Sequence, residues 1–108
     1  MKKILYVILE QWADWELAYI SSAVNMLGGG KFENKTVSLT KNAVTSIGGV
    51  KCLPDYDLLT LPSDYGAVIL IGGMSWHNEN AMQVKPLIDA CIKSGKVVGA
   101  ICDACRFL

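Results

Sequence analysis

The sequence predicts an α/β fold in which a mostly parallel sheet lies between layers of helices. Apolar runs and stretches of helical periodicity alternate in the order strand, helix, strand, and this order then repeats. Apolar residues make up 52% of the chain and charged residues 19%, which favours strands covered on both faces. A chain of 108 residues forms a single domain, and we expect residues 1–108 to belong to it.

The elements of the first half follow from local pattern. Residues 3–9 (KILYVIL) form a continuous run of β-forming residues, which is typical of a central parallel strand. A helix follows, with Asp14 as its predicted N-cap and Gly28, Gly29 and Gly30 as its stop. Its apolar face consists of Leu17, Ile20, Val24 and Leu27. Residues 35–40 alternate as a strand near an edge would, and residues 43–53 predict a hairpin that turns at Gly48 and Gly49.

The second half repeats the alternation. Residues 65–73 (YGAVILIGG) read as a buried strand that ends in a glycine pair, and residues 96–101 (KVVGAI) read as the last strand. Between them Pro86 marks the start of a helix and Gly95 its end. In parallel sheets, ligands bind beyond the carboxyl ends of the strands. The loops EQWADWE, GGMSWHNEN and CDAC are therefore where we expect the chemistry.

Composition excludes several classes of function. Ten basic and ten acidic residues give zero net charge, so no nucleic-acid partner is predicted. No run approaches the ~18 apolar residues of a membrane span, and the apolar start ends at Glu10, too early for a signal peptide. The four cysteines suggest no disulfide framework, and we expect a reduced, cytoplasmic protein.

Cys102 is the candidate nucleophile because it stands where the last strand meets a predicted helix. A nucleophile on such a tight turn needs small residues two positions away on each side, and Ala100 and Ala104 supply them. A helix N-terminus would favour the thiolate, and the amide of Asp103 would point toward an oxyanion. The alternative is an inert buried cysteine.

Cys102 and Cys105 also form a C-x-x-C pair, which could be a thioredoxin-like redox motif. A second alternative is that Cys105 simply faces the core. No metal is predicted, because Cys52, Cys91 and His77 lack the spacing of zinc ligands relative to this pair.

The other two loops supply candidate partners for the thiol. Glu16, at the start of the first helix, either makes a favourable contact with the helix dipole or shares a proton with the cysteine. In the middle loop, Gly72 and Gly73 allow close backbone approach, so an amide there could complete an oxyanion hole. Trp76 and the only histidine, His77, would line the pocket, although such a histidine is often merely solvated.

Three motifs make the chain resemble the DJ-1/PfpI family, within the class I glutamine amidotransferase-like superfamily. They are ADWELAY after the first strand, LIGG at the end of the buried strand, and VVGAIC leading into a helix. The resemblance extends over the whole chain and corresponds to the N-terminal half of a family domain. It implies a flavodoxin-like, doubly wound α/β fold. The GG-x-x-W middle loop resembles that of bacterial members described as intracellular proteases or amidotransferase-like proteins.

By this resemblance Cys102 matches the reactive elbow cysteine, Glu16 its acidic partner and Gly73 the oxyanion-loop glycine. The implied activity is cysteine-dependent hydrolysis or amidotransferase-like chemistry on a small carbonyl, amide or peptide substrate, without a cofactor. The alternative is a non-enzymatic sensor of oxidative stress or a chaperone-like protein. The chain departs from some peptidase-type members, which carry histidine directly after the cysteine where this chain has Asp103.

The resemblance also implies that this chain needs a partner. Family domains continue well past the elbow and often supply a histidine that faces the cysteine. A helix that breaks off at Leu108 and a sheet without its far strands would expose apolar faces. We therefore expect residues 1–108 to form a homodimer or larger assembly, or to associate with a C-terminal half.

Overall fold

The structure is a computed structural model that describes residues 2–107. Its helices are α1 (Asp14–Leu27) and α2 (Lys85–Lys93), and 3₁₀ turns cover Glu79–Val84 and Cys102–Phe107. Its strands are β1 (Lys2–Val7), β2 (Phe32–Ser38), β3 (Val44–Thr45), β4 (Lys51–Cys52), β5 (Tyr56–Asp57), β6 (Tyr65–Leu70) and β7 (Val97–Ala100). The open helix end expected at Leu108 lies outside the described residues.

The main sheet is parallel, with the strand order β5-β2-β1-β6-β7. The chain leaves β1 toward β2 on one side and later builds β6 and β7 on the other. The loops after β1 and β6 therefore diverge at the carboxyl edge, which is where ligand crevices form in such sheets. The predicted flavodoxin-like, mostly parallel α/β fold is confirmed.

The core lies on both faces of the sheet, as the apolar runs predict. One cluster packs strand residues such as Leu5, Val7 and Val68 against Ile88 of α2. The other contains Tyr6, Ile8 and Trp12, with Leu17 and Ile20 of α1 packed against it. Because β1 contributes to both clusters, its unbroken apolar sequence is what a central strand requires.

Two details of α1 differ from the sequence prediction. Ala13 is the N-cap, not Asp14, whose carboxylate instead accepts hydrogen bonds from Ser46 Oγ at 2.5 Å and the Gly48 amide at 2.9 Å. The helix ends at Leu27 as predicted, but the Leu27 side chain is exposed and does not continue the packed face. The Asp14 carboxylate thus binds residues more than 30 positions away in sequence and does not cap its own helix.

The predicted hairpin forms as the antiparallel pair β3 and β4, and Gly49 turns it with a φ of 84°. It packs on the loop that follows β1, where Glu10 Oε1 accepts the amide of Thr45. The Asp14 carboxylate holds the tip of the hairpin at the start of α1. This second sheet therefore fixes the loop that leads into α1.

Candidate active site

Cys102 lies on a sharp turn between β7 and the 3₁₀ turn Cys102–Phe107. It is exposed and has a φ of 52°, a conformation that residues with a side chain rarely adopt. Ala104 is fully buried beneath it and its amide donates to the carbonyl of Ile101 at 3.2 Å. A larger side chain at position 104 would meet the core, which is the physical reason for the small residue that the sequence provides.

Glu16 faces this turn from the first turn of α1. It is the one buried residue of that helix, at 8% exposure. Its Oε1 accepts the amide N–H of Gly72 at 2.8 Å, and its carboxyl group lies beside the side chain of Cys102. A buried carboxyl group is costly unless it has partners, and here both partners belong to the other two carboxyl-edge loops. The structure thus brings together Glu16, Gly72 and Cys102.

Glu16 raises the pKa of the Cys102 thiol, first through their hydrogen bond and then through its charge. Burial, Cys105 and Asp103 raise it further. The sequence raised both possibilities, because a helix N-terminus favours the thiolate whereas a carboxylate beside the cysteine opposes it. The acidic groups around the sulfur shift the pKa in the second direction. The site therefore holds a thiol with a raised pKa beside a carboxyl group.

Gly72 has no room for a side chain. A Cβ there would lie 2.6 Å from Glu16 Oε1, 2.8 Å from the carbonyl oxygen of Ile101 and 3.1 Å from Cys102 Cβ. The contact with a backbone carbonyl leaves little scope for adjustment. The glycine is thus what allows the three loops to approach one another.

We expect Gly72→Ala to lower the free energy of unfolding by about 1–3 kcal/mol, as overpacking does elsewhere, and to change the alkylation rate of Cys102. Urea unfolding followed by circular dichroism measures the first effect. Gly66→Ala is the matched control, since its Cβ would meet the flexible Lys2 side chain at 3.1 Å. Equal unfolding midpoints for the two variants would contradict this account of the site.

Gly73 is required by the packing of two loops. It pairs with Trp12 in a bridge closed by Ala13 N–H to the Gly72 carbonyl at 2.9 Å and Met74 N–H to the Gln11 carbonyl at 3.0 Å. A Cβ on Gly73 would lie 2.5 Å from the Gln11 carbonyl oxygen. The space beside the Gly73 Cα is therefore occupied by the backbone of the loop after β1. Neither bridge bond uses the Gly73 amide.

Trp76 and His77, the two remaining candidates of the middle loop, lie in different surroundings. Trp76 is buried in the core at 2% exposure and donates its indole N–H to the Ile71 carbonyl at 2.7 Å. His77 is exposed, and its Nε2 lies 2.7 Å from Oδ2 of Asp103. His77 thus contacts the residue beside Cys102. Sequence reasoning named both residues of this pair but did not pair them, because no local pattern links positions 77 and 103.

Cys105 does not face the core. It is exposed, and its Sγ donates to the Ala100 carbonyl at 3.4 Å. Cys52, Cys91, Cys102 and Cys105 are all free. Among residues 2–107, no three His, Cys, Asp or Glu side chains are grouped as metal ligands would be. Within the same range, no helix combines the length and apolar character needed to cross a bilayer.

An apolar cleft of about 540 Å³ adjoins Glu16. It is lined by Trp15, Glu16, Tyr19, Ile20, Ala23 and Ile101. Trp15 and Tyr19 are 61% and 82% exposed. The candidate site therefore opens beside an uncovered apolar surface of α1.

The parallel sheet, the cysteine with positive φ on the turn after β7 and its buried glutamate define an α/β protein of the elbow-cysteine class. The chain belongs to the DJ-1/PfpI family, whose profile matches residues 2–108. It is 38% identical over 108 residues to the uncharacterized protease YdeA of Bacillus subtilis (strain 168), matching 100% of this chain and 53% of that protein. It is also 28% identical over 112 residues to the uncharacterized protease YoaZ of the same organism, matching 95% and 52%.

Among solved structures, the DJ-1 superfamily protein Atu0886 from Agrobacterium tumefaciens superposes with a TM-score of 0.87 at 30% identity. That match covers 99% of this chain and 56% of the other. Drosophila melanogaster DJ-1beta superposes with a TM-score of 0.80 at 26% identity, over 99% and 58%. The chain thus spans about half the length of the relatives that it matches.

Proposed function

We propose that this chain carries the nucleophile of a cysteine-dependent hydrolase that acts on a small carbonyl, amide or peptide substrate. The observation that carries the proposal is the position of the buried Glu16 carboxyl group, which the Gly72 amide holds beside the exposed Cys102 side chain. A nucleophile with a base beside it is the arrangement that covalent catalysis needs. The two Bacillus subtilis relatives named as proteases support the same reaction class.

In the proposed first step, Cys102 Sγ attacks the substrate carbonyl carbon while its proton passes to the Glu16 carboxylate. The carbonyl π electrons move to oxygen, and the amides of Gly73 and Asp103 are the proposed donors to that oxyanion. Two features support these donors: the Trp12–Gly73 bridge does not use the Gly73 amide, and the first amides of a helical turn lack intrahelical partners.

In the proposed second step, the oxyanion collapses and the leaving group departs with the proton held by Glu16. A thioester on Cys102 remains. Water then attacks the thioester, Glu16 takes the proton of that water, and the thiolate leaves and is reprotonated. The proton acceptor matters because the raised pKa keeps the resting thiol protonated at neutral pH.

The alternatives draw less support from the geometry. A sensor needs a thiol that is readily oxidised, and the thiolate is the species that oxidants attack, so a raised pKa opposes that role. A C-x-x-C redox pair needs the two sulfurs to approach each other, whereas Cys105 Sγ is hydrogen-bonded to the Ala100 carbonyl.

Trapping the acyl enzyme tests the proposal. The protein is incubated with p-nitrophenyl acetate, quenched with acid and digested with trypsin, and the peptide spanning residues 97–106 is sequenced by tandem mass spectrometry. We expect one acetyl group on Cys102 and none on Cys105. Acetylation at Cys105 alone, or at neither cysteine while hydrolysis continues, would rule the proposal out.

We further expect the uncovered face of α1 to drive assembly. Trp15, Tyr19, Met26 and Leu27 are all more than half exposed, and contiguous exposed apolar residues often mark a surface that another chain covers. Sedimentation velocity should show a species heavier than the 11.7 kDa monomer. A second copy or a C-terminal half are the partners that we propose for this face.

The double variant Trp15→Gln/Tyr19→Gln tests whether this face drives assembly, and Leu59→Gln is its control. Leu59 is 93% exposed but lies outside α1. The double variant should sediment closer to the monomer, whereas the control should not change. A wild-type chain that sediments as a monomer and melts cooperatively would contradict the expectation.

A further inference from the structure

A second cleft lies at the carboxyl edge of the sheet, between the loops that follow β1, β2 and β6. Its volume is about 220 Å³. It is lined by Leu9, Glu10, Ser38, Leu39, Thr40, Val44, Ser75, Asn78, Asn80 and Ala81. Cys102, Glu16 and Gly72 are not among these residues. The cleft is therefore separate from the candidate active site, although it occupies the same edge, where doubly wound folds bind ligands.

Ser38 ends β2 and lines the cleft, and the residue as a whole is only 2% exposed. Its hydroxyl group has no hydrogen-bond partner within the described part of the chain, and no described side-chain oxygen that is shielded from solvent lacks a partner. The Ser38 oxygen is therefore open to the cleft, where a bound ligand could replace solvent as its partner.

The rest of the lining combines a polar rim with an apolar floor. Asn78 and Asn80 present exposed amide groups that can both donate and accept hydrogen bonds. Ser75 already donates its hydroxyl group to the Glu10 carbonyl at 2.5 Å, which ties the loop after β6 to the loop after β1. Leu9 and Ala81 are buried core residues that form part of the floor.

The charge of the cleft restricts the ligand. Glu10 is the one ionisable residue in the lining, and it is acidic, with one carboxylate oxygen already accepting the Thr45 amide. Among the residues that the structure describes, no lysine, arginine or histidine belongs to the lining. Phosphate and carboxylate ligands would meet a negative charge with no cation to offset it. The volume is below the ~300–1,000 Å³ of sites for drug-sized ligands, so the ligand must be small.

We infer that this cleft binds a small, uncharged, hydroxyl-rich molecule whose hydroxyl groups pair with Ser38 and the rim amides and whose carbon skeleton packs on the apolar floor. The inference does not depend on the proposed hydrolase activity, because the lining shares no residue with the Cys102 site.

The probe for this site is xylitol. The xylonate anion, which has the same number of carbon atoms but carries a negative charge, is the control. Saturation-transfer difference NMR on the protein in its native assembly should show xylitol binding and little or no xylonate binding. Ser38→Ala should weaken xylitol binding about three- to tenfold, the usual effect of losing one hydrogen bond. Asn80→Ala, at an exposed rim position where folding is not at risk, should weaken it by a similar factor.

Two controls locate the binding. Ser22→Ala, in a different polar cleft between α1 and β2, should leave the affinity for xylitol unchanged. Cys102→Ser should also leave it unchanged, which separates this inference from the proposed hydrolysis. The inference is overturned if xylitol shows no saturation transfer, if xylonate binds equally well, or if neither Ser38→Ala nor Asn80→Ala weakens binding.

Discussion

Replacing Glu16 with glutamine is expected to lower turnover by about 10²–10⁴-fold, the range that a positioned general base contributes. The amide keeps the shape of the side chain and can still accept the Gly72 N–H, but it cannot take the thiol proton. Turnover of a p-nitrophenyl ester at neutral pH measures the effect. Glu79→Gln is the control, because Glu79 is exposed at the start of a 3₁₀ turn.

This variant also separates a catalytic role for Glu16 from a structural one. If Glu16 only holds the Gly72 loop in place, glutamine should preserve most of the activity. If it is the base, activity falls while the unfolding midpoint stays close to that of the wild type. Unchanged turnover in Glu16→Gln would remove the glutamate from the mechanism.

Replacing Cys102 is expected to abolish turnover, with a loss of at least about 10³-fold for Cys102→Ser, since a nucleophile rarely has a substitute. Cys105→Ser should retain activity, because its sulfur is hydrogen-bonded to the Ala100 carbonyl and has no base beside it. Ester turnover at saturating substrate distinguishes the two variants. Loss of activity in Cys105→Ser alone would favour the redox-pair alternative.

Cys102→Gly adds a test of strain at the same position. Glycine adopts a positive φ without steric cost, so this variant should be more stable than Cys102→Ser by up to about 1 kcal/mol, while being equally inactive. Gln11, the other residue in the described range with a side chain and a positive φ, at 62°, provides the control. Gln11→Gly should show a similar gain in stability and keep its turnover. A destabilised Cys102→Gly would show that the turn is not strained.

The strands and helices that fix the site were predictable because their patterns are local. The apolar run of residues 3–9 indicated a central strand, and parallel order then placed Glu16, Gly72 and Cys102 at one edge. The short strand β5 was missed. It has two residues, Tyr56 and Asp57, and forms only by pairing with β2. A periodicity cannot be detected in two residues.

The interactions that sequence reasoning missed are long-range and polar. Asp14 looked like a helix cap, but the hairpin tip supplies its partners. The contact between His77 and Asp103 joins two loops 26 positions apart. The raised pKa of Cys102 likewise comes first from Glu16, which is distant in sequence, and only then from burial and from the neighbouring Cys105 and Asp103. Local pattern predicts where a loop begins, whereas packing decides which side chains meet.

The most direct test of the Glu16–Cys102 pair is the pH dependence of Cys102 alkylation by iodoacetamide, followed by mass spectrometry in the wild type and in Glu16→Gln. Alkylation follows the thiolate, so the wild-type midpoint should lie above the ordinary cysteine pKa of about 8.5. Removing the carboxylate should move the midpoint to lower pH and speed up alkylation at neutral pH, even though turnover is lost. A wild-type midpoint below about 8.5 that rises in Glu16→Gln would contradict the account, because the carboxyl group would then be a proton donor to the thiolate.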